Sequence, residues 1–354
     1  MGVTDASDSR LGMLTRWVTE DLGFAGGRIE PASADASFRR YFRVTRGADS
    51  CIVMDAPPDK ETLEPFIGVA RSLKAMGLNV PVVLARDLRQ GLLLLSDLGT
   101  RQYLDQLAAG RDVDRLYADA LAALVRMQTR GGAAAHGLPP YDRALLHREM
   151  ELMPEWFLGR HLQTPADARA RAMLDRLFDF LSQSALEQPA TFVHRDYHSR
   201  NLLVTDEANP GILDFQDAVR GAVTYDAVSL LKDCYIEWPV ARVEKWLLGY
   251  RRALLEAGFG LTAGEGEFIR WFDLMGLQRH IKVLGIFARL YYRDGKPGYL
   301  KDLPRVLDYT RQAAARYRET AEFADYIATQ VDPGFADAQS RALRDAQAPL
   351  AGNA

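Results

Sequence analysis

The stretch VHRDYHSRNLLV, residues 193–204, places two histidines, two arginines, an aspartate and an asparagine between two short apolar runs. Within it, His194, Asp196 and Asn201 follow the spacing H-x-D-x-x-x-x-N. A further acidic residue, Asp214, lies in GILDFQD, residues 211–217, after another short apolar run. Apolar runs of this length, bounded by polar residues, predict short strands with the polar side chains in the loops beside them.

This spacing is typical of the catalytic loop of phosphoryl transfer. In that chemistry Asp196 would orient an acceptor hydroxyl and accept its proton, while the amide oxygen of Asn201 would bind magnesium. Asp214 would be the second metal ligand, because Mg²⁺ usually takes one or two carboxylates together with nucleotide phosphates. Asp217 is expected to join the metal shell through water or to shape the acceptor site. The sequence therefore predicts ATP and Mg²⁺ as cofactors.

The two histidines of the stretch have different expected roles. We expect His194 to hold the loop backbone by packing and hydrogen bonding, and His198 to shape the loop or contact the transferring phosphate. Their separation by four positions could also indicate zinc, but the zincin pattern needs a glutamate after the first histidine, and Arg195 stands there. A serine hydrolase is disfavoured because the sequence contains no G-x-S-x-G motif.

The composition indicates a globular chain long enough for two lobes. Of its 354 residues 48% are hydrophobic, and 44 basic against 47 acidic residues give a formal charge of −3. That balance does not favour nucleic acid, and two cysteines in no C-x-x-C spacing indicate neither a disulfide framework nor a zinc site. No apolar run approaches the roughly 18 residues of a membrane span. We expect a cytoplasmic protein with no nucleic-acid, membrane or obligate protein partner.

The order of predicted elements indicates the fold. An opening helix over about residues 9–22 precedes a hairpin, a helix that ends near Gly77, and two more strands at VPVVLA and GLLLLSD. The rest is helical apart from three short strands at TFV, NLLV and GILDF. This order predicts an α+β protein with the bilobal protein-kinase-like fold, a small antiparallel-sheet N-lobe and a larger, mostly helical C-lobe.

The lobes have separate expected tasks. Residues 1–98 would cover the nucleotide, and residues 99–354 would carry the catalytic loop, the metal site and the acceptor pocket, with a hinge at SDLGT, residues 96–100. Main-chain atoms at the end of the last N-lobe strand are expected to bind adenine. The residues concerned are Leu95, Ser96, Asp97 and Leu98.

The N-lobe departs from the usual kinase pattern. The segment PASADASFRRYF, residues 31–42, should cover the phosphates but contains no glycine. The phosphate-pairing lysine of the third strand is also missing, with Met54 or Asp55 near its place. We expect the Ser33 or Ser37 hydroxyl to donate to phosphate and Arg39 or Arg40 to supply the positive charge, although both arginines could equally be solvated.

These motifs together resemble the aminoglycoside phosphotransferase-like family of small-molecule kinases. That family commonly has histidine two positions after the catalytic aspartate, as in His198, and a G-D-P-x-x-D-L-A-like segment after the metal strand. Here RGAVTYDAVSL retains Gly221 and Asp226 but not the Asp-Pro pair. The short distance from Asp214 to Tyr225 leaves no room for a long activation loop, so a protein acceptor is disfavoured.

Longer runs, among them DASFRRYFRV and LLLLSDLG, resemble the amino-sugar kinases of this family. The resemblance implies transfer of the ATP γ-phosphate to the C1 hydroxyl of N-acetylmuramate or N-acetylglucosamine. A basic stretch with Arg279 and His280 suits the anionic lactyl ether of N-acetylmuramate better than a polycationic drug. The alternatives are another small alcohol, such as an aminoglycoside, choline or homoserine, and a nucleotide-binding pseudokinase.

Overall fold

A computed structural model of the chain describes residues 3–34 and 38–347. Backbone contacts divide the chain into two compact units. Unit 1 comprises Met1–Tyr103 and Asn201–Asp217, and unit 2 comprises Leu104–Arg200 and Ala218–Ala354. Ser37, one of the predicted nucleotide-binding residues, lies outside the described residues.

Unit 1 is built on an antiparallel sheet with the strand order β1-β2-β3-β5-β4. Its strands and its two leading helices are α1 (Val3–Arg16), β1 (Arg28–Ala34), β2 (Arg40–Arg46), β3 (Asp49–Asp55), α2 (Glu64–Ala75), β4 (Val83–Asp87) and β5 (Leu92–Ser96). Leu14 of α1 and Trp17 of the following π-helical turn, Trp17–Asp21, pack on Phe42, Val53 and Leu94 of the sheet. This burial of apolar surface ties the opening helix to one face of the sheet.

The end of α2 follows the predicted glycine cap. Gly77 has a φ of 79°, in the left-handed region. Its N–H donates to the carbonyl of Lys74 at 2.9 Å, and the N–H of Leu78 donates to that of Leu73 at 3.1 Å. These two bonds form a Schellman motif, which satisfies carbonyls that the helix end would otherwise leave unpaired.

Three differences from the predicted elements have local causes. Strand β1 is not among the predicted strands, and its residues 31–34 fall in the segment expected to cover the phosphates. Within the part of the chain that the structure describes, it pairs with β2 alone, and such an edge strand tolerates Pro31. The predicted strand VPVVLA begins only at Val83, after Pro81, which lacks an N–H. In GILDF only Gly211–Ile212 is a strand, because Asp214 has a φ of 60°.

The segment Asn201–Asp217 groups with unit 1 through its backbone contacts. It contains the paired strands β7 (Leu202–Leu203) and β8 (Gly211–Ile212). The N–H of Val204 donates to the carbonyl of Arg101 at 2.7 Å, and that of Ile212 donates to Asn79 at 2.8 Å. These backbone bonds explain why the segment clusters with the sheet.

Unit 2 is mostly helical, with the strand pair β6 (Ala190–Val193) and β9 (Val219–Ala222) as its described sheet; β9 was not predicted. The helices after α2 are α3 (Tyr103–Ala108), α4 (Val113–Arg130), α5 (Gly132–Ala135), α6 (Arg143–Met150), α7 (Ala168–Leu186), α8 (Tyr225–Leu231), α9 (Val240–Glu256), α10 (Glu265–Tyr292), α11 (Leu303–Ala315), α12 (Ala321–Tyr326) and α13 (Asp332–Gln347). Shorter π-helical or 3₁₀ segments are Met153–Leu162, Pro297–Asp302, Arg318–Thr320 and Ile327–Val331.

Helix α10 is the central element of unit 2. It packs against α7, α8, α11 and the π-helical segment Met153–Leu162. A Cβ atom at Gly285 would overlap the backbone of Leu152, so glycine permits this close approach. Because α10 is buried along most of its length, its polar residues must find partners inside the protein.

Candidate active site

The catalytic loop follows β6 in unit 2 and is held at its start by Asp226. The backbone N–H groups of His194 and Arg195 donate to the Asp226 carboxylate at 2.7 and 3.0 Å. Arg195 has a φ of 77°, which non-glycine residues seldom adopt. Asp226 is fully buried on α8, and burial raises its pKa to about 7 despite these bonds. One carboxylate thus holds a strained turn directly before Asp196.

The remainder of the loop is held by bonds that leave the Asp196 carboxylate accessible. The Tyr197 hydroxyl donates to the carbonyl of Ala120 at 2.8 Å, and the Ser199 N–H and hydroxyl donate to Asp233 at 2.9 and 2.5 Å. The N–H of Asp196 donates to Nδ1 of His194 at 3.3 Å. The side chain of Asp196 nevertheless keeps 39% of its surface exposed. The loop therefore presents a carboxylate from a fixed backbone, and the contacts of His194 are those of a scaffold residue.

The charge state of Asp196 is controlled by cations of α10. Removal from bulk water alone would raise its pKa, but Lys282 and Arg279 outweigh that effect and hold the pKa at about 2. The Arg279 guanidinium lies 4.0 Å from Oδ1 of Asp196. Asp196 is therefore a carboxylate at neutral pH, the form that can accept a proton.

A buried charge cluster surrounds Glu149, a residue that the sequence did not indicate. Its carboxylate accepts hydrogen bonds from Lys282 at 2.9 Å, from the Arg195 guanidinium and from the Tyr141 hydroxyl. Burial would raise the pKa of Glu149, but Lys282 and Arg195 lower it below its ordinary value. Lys282 also donates to the Tyr225 hydroxyl at 3.1 Å. This cluster joins the catalytic-loop residue Arg195 to α10.

Arg279 and His280, the predicted acceptor-binding residues, are buried in unit 2. Arg279 donates to the carbonyl of Arg195 at 2.9 Å and to the Tyr225 hydroxyl at 3.0 Å, so it supports the catalytic loop. The His280 ring lies 3.0 Å from the carbonyl of Lys232 and stacks on Tyr309 at 4.8 Å. Burial lowers the His280 pKa to about 3, and the ring is neutral. These contacts give His280 no exposed surface for a sugar, which argues against its predicted role.

His198 belongs to the catalytic loop and faces an aromatic side chain. Its N–H donates to the carbonyl of Asp196 at 3.0 Å, and its ring meets Tyr235 edge to face at 5.3 Å. Burial lowers the His198 pKa, so the imidazole is neutral at neutral pH. The geometry fits a loop-shaping residue, and contact with a transferring phosphate stays a prediction.

The predicted metal ligands lie together in unit 1. The N–H of Leu213 donates to the carbonyl of Asn201 at 2.9 Å, and Nδ2 of Asn201 donates to Oδ2 of Asp214 at 3.2 Å. Asp214, at a φ of 60°, also accepts a bond from Gln216 at 2.8 Å. The left-handed backbone turns the Asp214 carboxylate toward the Asn201 amide. The two predicted ligands are thus adjacent, as a shared cation requires.

These residues fit magnesium better than a metal of the zinc type. Among the described residues, no group of three or more His, Cys, Asp or Glu side chains could hold a metal. Asn201 and Asp214 offer hard oxygen atoms, and Mg²⁺ takes its further ligands from water and phosphate. Asp217 is exposed and accepts a bond from Gln216 at 3.3 Å, so it lies beside this pair. Nη2 of Arg39 comes to 3.9 Å from Asp214.

Asp55, near the place of the missing lysine, is the centre of an ion-pair network in unit 1. Its fully buried carboxylate accepts a bond from Nε of Arg10 at 2.9 Å and one from Nε of Arg40 at 2.9 Å. Arg10 also donates to the carbonyl of Gln90 at 2.9 Å. The network ties α1 to strands β2 and β3. Arg40 is therefore paired with a carboxylate, and its contacts favour a structural role.

The segment predicted to bind adenine ends β5. Ser96 exchanges two bonds with Val82, one through its N–H and one through its hydroxyl oxygen, both at 2.9 Å. Asp97 accepts bonds from Arg43 at 2.6 Å and Ser50 at 2.5 Å. Burial would raise the Asp97 pKa, but Arg43 and Ser50 lower it. The side chains of Ser96 and Asp97 therefore form hydrogen bonds within unit 1. Leu95 is buried, and Leu98 lies against Gly211.

The family model described as "Phosphotransferase enzyme family" matches residues 28–266. The chain belongs to this family. Its match begins at β1 and extends through the predicted catalytic loop and the predicted metal ligands into α10. The resemblance drawn from the motifs is thereby confirmed.

Curated relatives are similar over most of their length. The N-acetylmuramate/N-acetylglucosamine kinase of Pseudomonas aeruginosa is 50% identical over 334 residues, which cover 92% of this chain and 98% of the relative. A protein of the same name from Neisseria meningitidis is 43% identical over 295 residues, covering 82% of this chain and 86% of the relative. The names of these relatives therefore agree with the expected class, the amino-sugar kinases.

Solved structures confirm the fold. The GDP complex of wild-type aminoglycoside 2'-phosphotransferase-IIIa superposes with a TM-score of 0.58 at 17% identity, covering 87% of this chain and 99% of that chain. The predicted α+β protein-kinase-like fold, with an antiparallel N-terminal sheet and a mostly helical remainder, is correct. Within the described part of the chain, no helix is both long and apolar enough to span a bilayer.

Proposed function

We propose that the protein is an ATP- and Mg²⁺-dependent kinase that phosphorylates the C1 hydroxyl of N-acetylmuramate and N-acetylglucosamine. The observation that carries this proposal is the 50% identity to a kinase of that name over 92% of the chain. Such a kinase would act in the cytoplasm, in peptidoglycan recycling, and its products would feed UDP-sugar synthesis. The fold neighbours include an aminoglycoside phosphotransferase with GDP, which supports nucleotide use by this fold.

Asp196 would act as the base of the transfer. Its pKa of about 2 keeps it ionised, and its exposed carboxylate can orient the C1 hydroxyl and accept its proton. Asp226 and Asp233 hold the loop on both sides, so little reorganisation accompanies the transfer. His198, neutral and packed on Tyr235, would maintain the loop shape.

Asn201 and Asp214 would hold the magnesium ion. When bound, the ion neutralises phosphate charge and orients the transferred group. Asn201 would present its amide oxygen after rotation of the amide, which now donates to Asp214. Arg39, near Asp214, is the better candidate than Arg40 for the missing lysine, because Arg40 is already paired with Asp55. Asp217 would contribute through water or shape the acceptor side.

The proposal is tested by coupled ADP release with a panel of acceptors. We expect turnover with N-acetylmuramate and N-acetylglucosamine, and phosphorus NMR should show an anomeric phosphate. Turnover only with choline, homoserine or an aminoglycoside would assign a different acceptor within the family. Nucleotide binding without turnover of any acceptor would indicate a pseudokinase.

A further inference from the structure

Arg200, the last residue of the catalytic loop in unit 2, has an unusual environment for an arginine. Its guanidinium carbon lies 3.7 Å from the ring centroid of Tyr235 and 5.7 Å from that of Tyr299. Among the described residues it forms no ion pair within 4.0 Å. The neighbouring carboxylate Asp302 pairs with Arg305 at 3.0 Å. The residue is half-buried, so its charge is fixed against an aromatic face and still accessible.

Three cations near Asp196 are already engaged. Arg195 and Lys282 pair with Glu149, and Arg279 donates to a backbone carbonyl and to the Tyr225 hydroxyl. A ligand carboxylate could recruit these cations only by breaking buried bonds, which is costly. Binding of a carboxylate to Arg200 would break no such bond, because stacking on a ring leaves the edge of the guanidinium available.

The surroundings of Arg200 also suit a sugar. His198 meets Tyr235 edge to face at 5.3 Å, Tyr235 lies 6.0 Å from Phe287, and Phe287 lies 5.3 Å from Tyr299. Tyr235 and Tyr299 are both partly exposed. Aromatic rings with an apolar face and a hydroxyl tip can pack on a pyranose and bond its hydroxyls. Arg200 itself belongs to the same loop as Asp196, four residues away in sequence.

We infer that Arg200 is a specificity-determining residue, which binds the lactyl carboxylate of N-acetylmuramate while Tyr235 holds its guanidinium in place. This inference rests on the proposed function and deepens it. N-acetylglucosamine lacks the lactyl carboxylate, so the two acceptors differ in the one group that Arg200 would recognise. A planar guanidinium binds a carboxylate through two parallel bonds, which an ammonium cannot reproduce.

The test compares kcat/KM for both sugars in the full-length wild type and in Arg200→Gln. We expect kcat/KM for N-acetylmuramate to fall about ten- to hundredfold, mainly through KM, because a charge-assisted bond is lost. The value for N-acetylglucosamine should change less than about threefold. Arg200→Lys should recover only part of the loss, since it retains the charge without the planar fork. Arg252→Gln, at an exposed arginine of α9, is the matched control and should leave the ratio unchanged.

Each outcome has a separate meaning. If the wild type phosphorylates neither sugar, the proposed function fails, and the inference fails with it. If the wild type uses both sugars but Arg200→Gln lowers both efficiencies equally, or neither, the proposed function stands and only the inference is overturned. Should Arg200→Gln unfold, which its circular dichroism would show, Arg200→Lys decides: an unchanged ratio of efficiencies rejects the inference.

Discussion

Each unit contains a carboxylate flanked by two cations, but the two clusters do different things. In unit 1, Asp55 pairs with Arg10 and Arg40, whose side chains are 24% and 33% exposed. In unit 2, Glu149 pairs with Lys282 and Arg195, which are 7% and 19% exposed. The first cluster joins α1 to the sheet with cations that reach water. The second cluster is almost fully buried and includes a residue of the catalytic loop.

The difference shows how one fold divides its tasks. The Asp55 cluster stabilises unit 1 at the place where a lysine was expected. Arg39, which does not belong to that cluster, lies near the predicted metal ligands. The Glu149 cluster and Arg279 place cations around Asp196 and thereby set its charge. We therefore expect the two units to differ in which variants change nucleotide binding, turnover or stability.

The largest expected effect is on turnover, and it compares one predicted site residue from each unit. Asp196→Asn in unit 2 should lower kcat by about 10²–10⁴-fold, because the proton acceptor is lost, and should leave nucleotide binding intact. Asp214→Asn in unit 1 should lower turnover and also weaken binding of the magnesium–nucleotide complex. The measurements are coupled ADP release and calorimetric titration with nucleotide. Near-normal turnover of Asp196→Asn would overturn its assignment as the base.

The next effect compares the stability of the two clusters. Glu149→Gln should lower the free energy of unfolding by about 3–5 kcal/mol, since it leaves two cations in a buried site. Asp55→Asn should cost less than about 3 kcal/mol, because its arginines reach water. Urea unfolding followed by circular dichroism measures both. Glu151→Gln, which breaks an exposed pair with Arg171, is the control and should cost less than about 1 kcal/mol.

The pH dependence of this stability has a definite sign. The pKa of Glu149 is lowered from its ordinary value of 4.5 in the folded protein. Its stabilisation is therefore present above pH 4.5 and is lost as the pH falls through the folded-state pKa. The difference between wild type and Glu149→Gln should shrink on acidification. A difference that grows on acidification would contradict the charge state assigned to Glu149.

Local spacing in the sequence predicts the candidate site residues, but it does not predict the contacts that support them. Asp196, Asn201 and Asp214 follow a local spacing, and local spacing can be read directly from a sequence. Glu149 reaches Arg195 across 46 residues, so no short window predicts their pairing. Arg279 and His280 are predicted from the sequence to bind the acceptor, but α10 is buried on nearly all sides, and its polar residues pair internally. Their burial is a property of the tertiary fold, which a local pattern does not predict.

The next prediction concerns the replacement of the missing lysine within unit 1. Arg39→Ala should raise KM for ATP about tenfold or more, because a charge-assisted phosphate contact is lost. Arg40→Ala should change KM less and stability more, since Arg40 is paired with Asp55. Steady-state kinetics and thermal unfolding of both variants distinguish these effects. An unchanged KM in both variants would exclude either arginine as the phosphate-binding cation.

The smallest expected effect tests the electrostatic role of unit 2. Arg279→Gln removes one of the cations that hold the Asp196 pKa at about 2, so that pKa should rise toward its ordinary value of 3.8. At neutral pH Asp196 stays ionised, and the charge change alone should alter turnover little. Below about pH 5 part of it becomes protonated, so the acidic limb of kcat/KM should move to higher pH. Arg279→Lys keeps the charge and should keep the wild-type limb. If both variants lose activity equally at every pH, Arg279 acts on Asp196 only through its bonds to the loop backbone and Tyr225, and the electrostatic role is rejected.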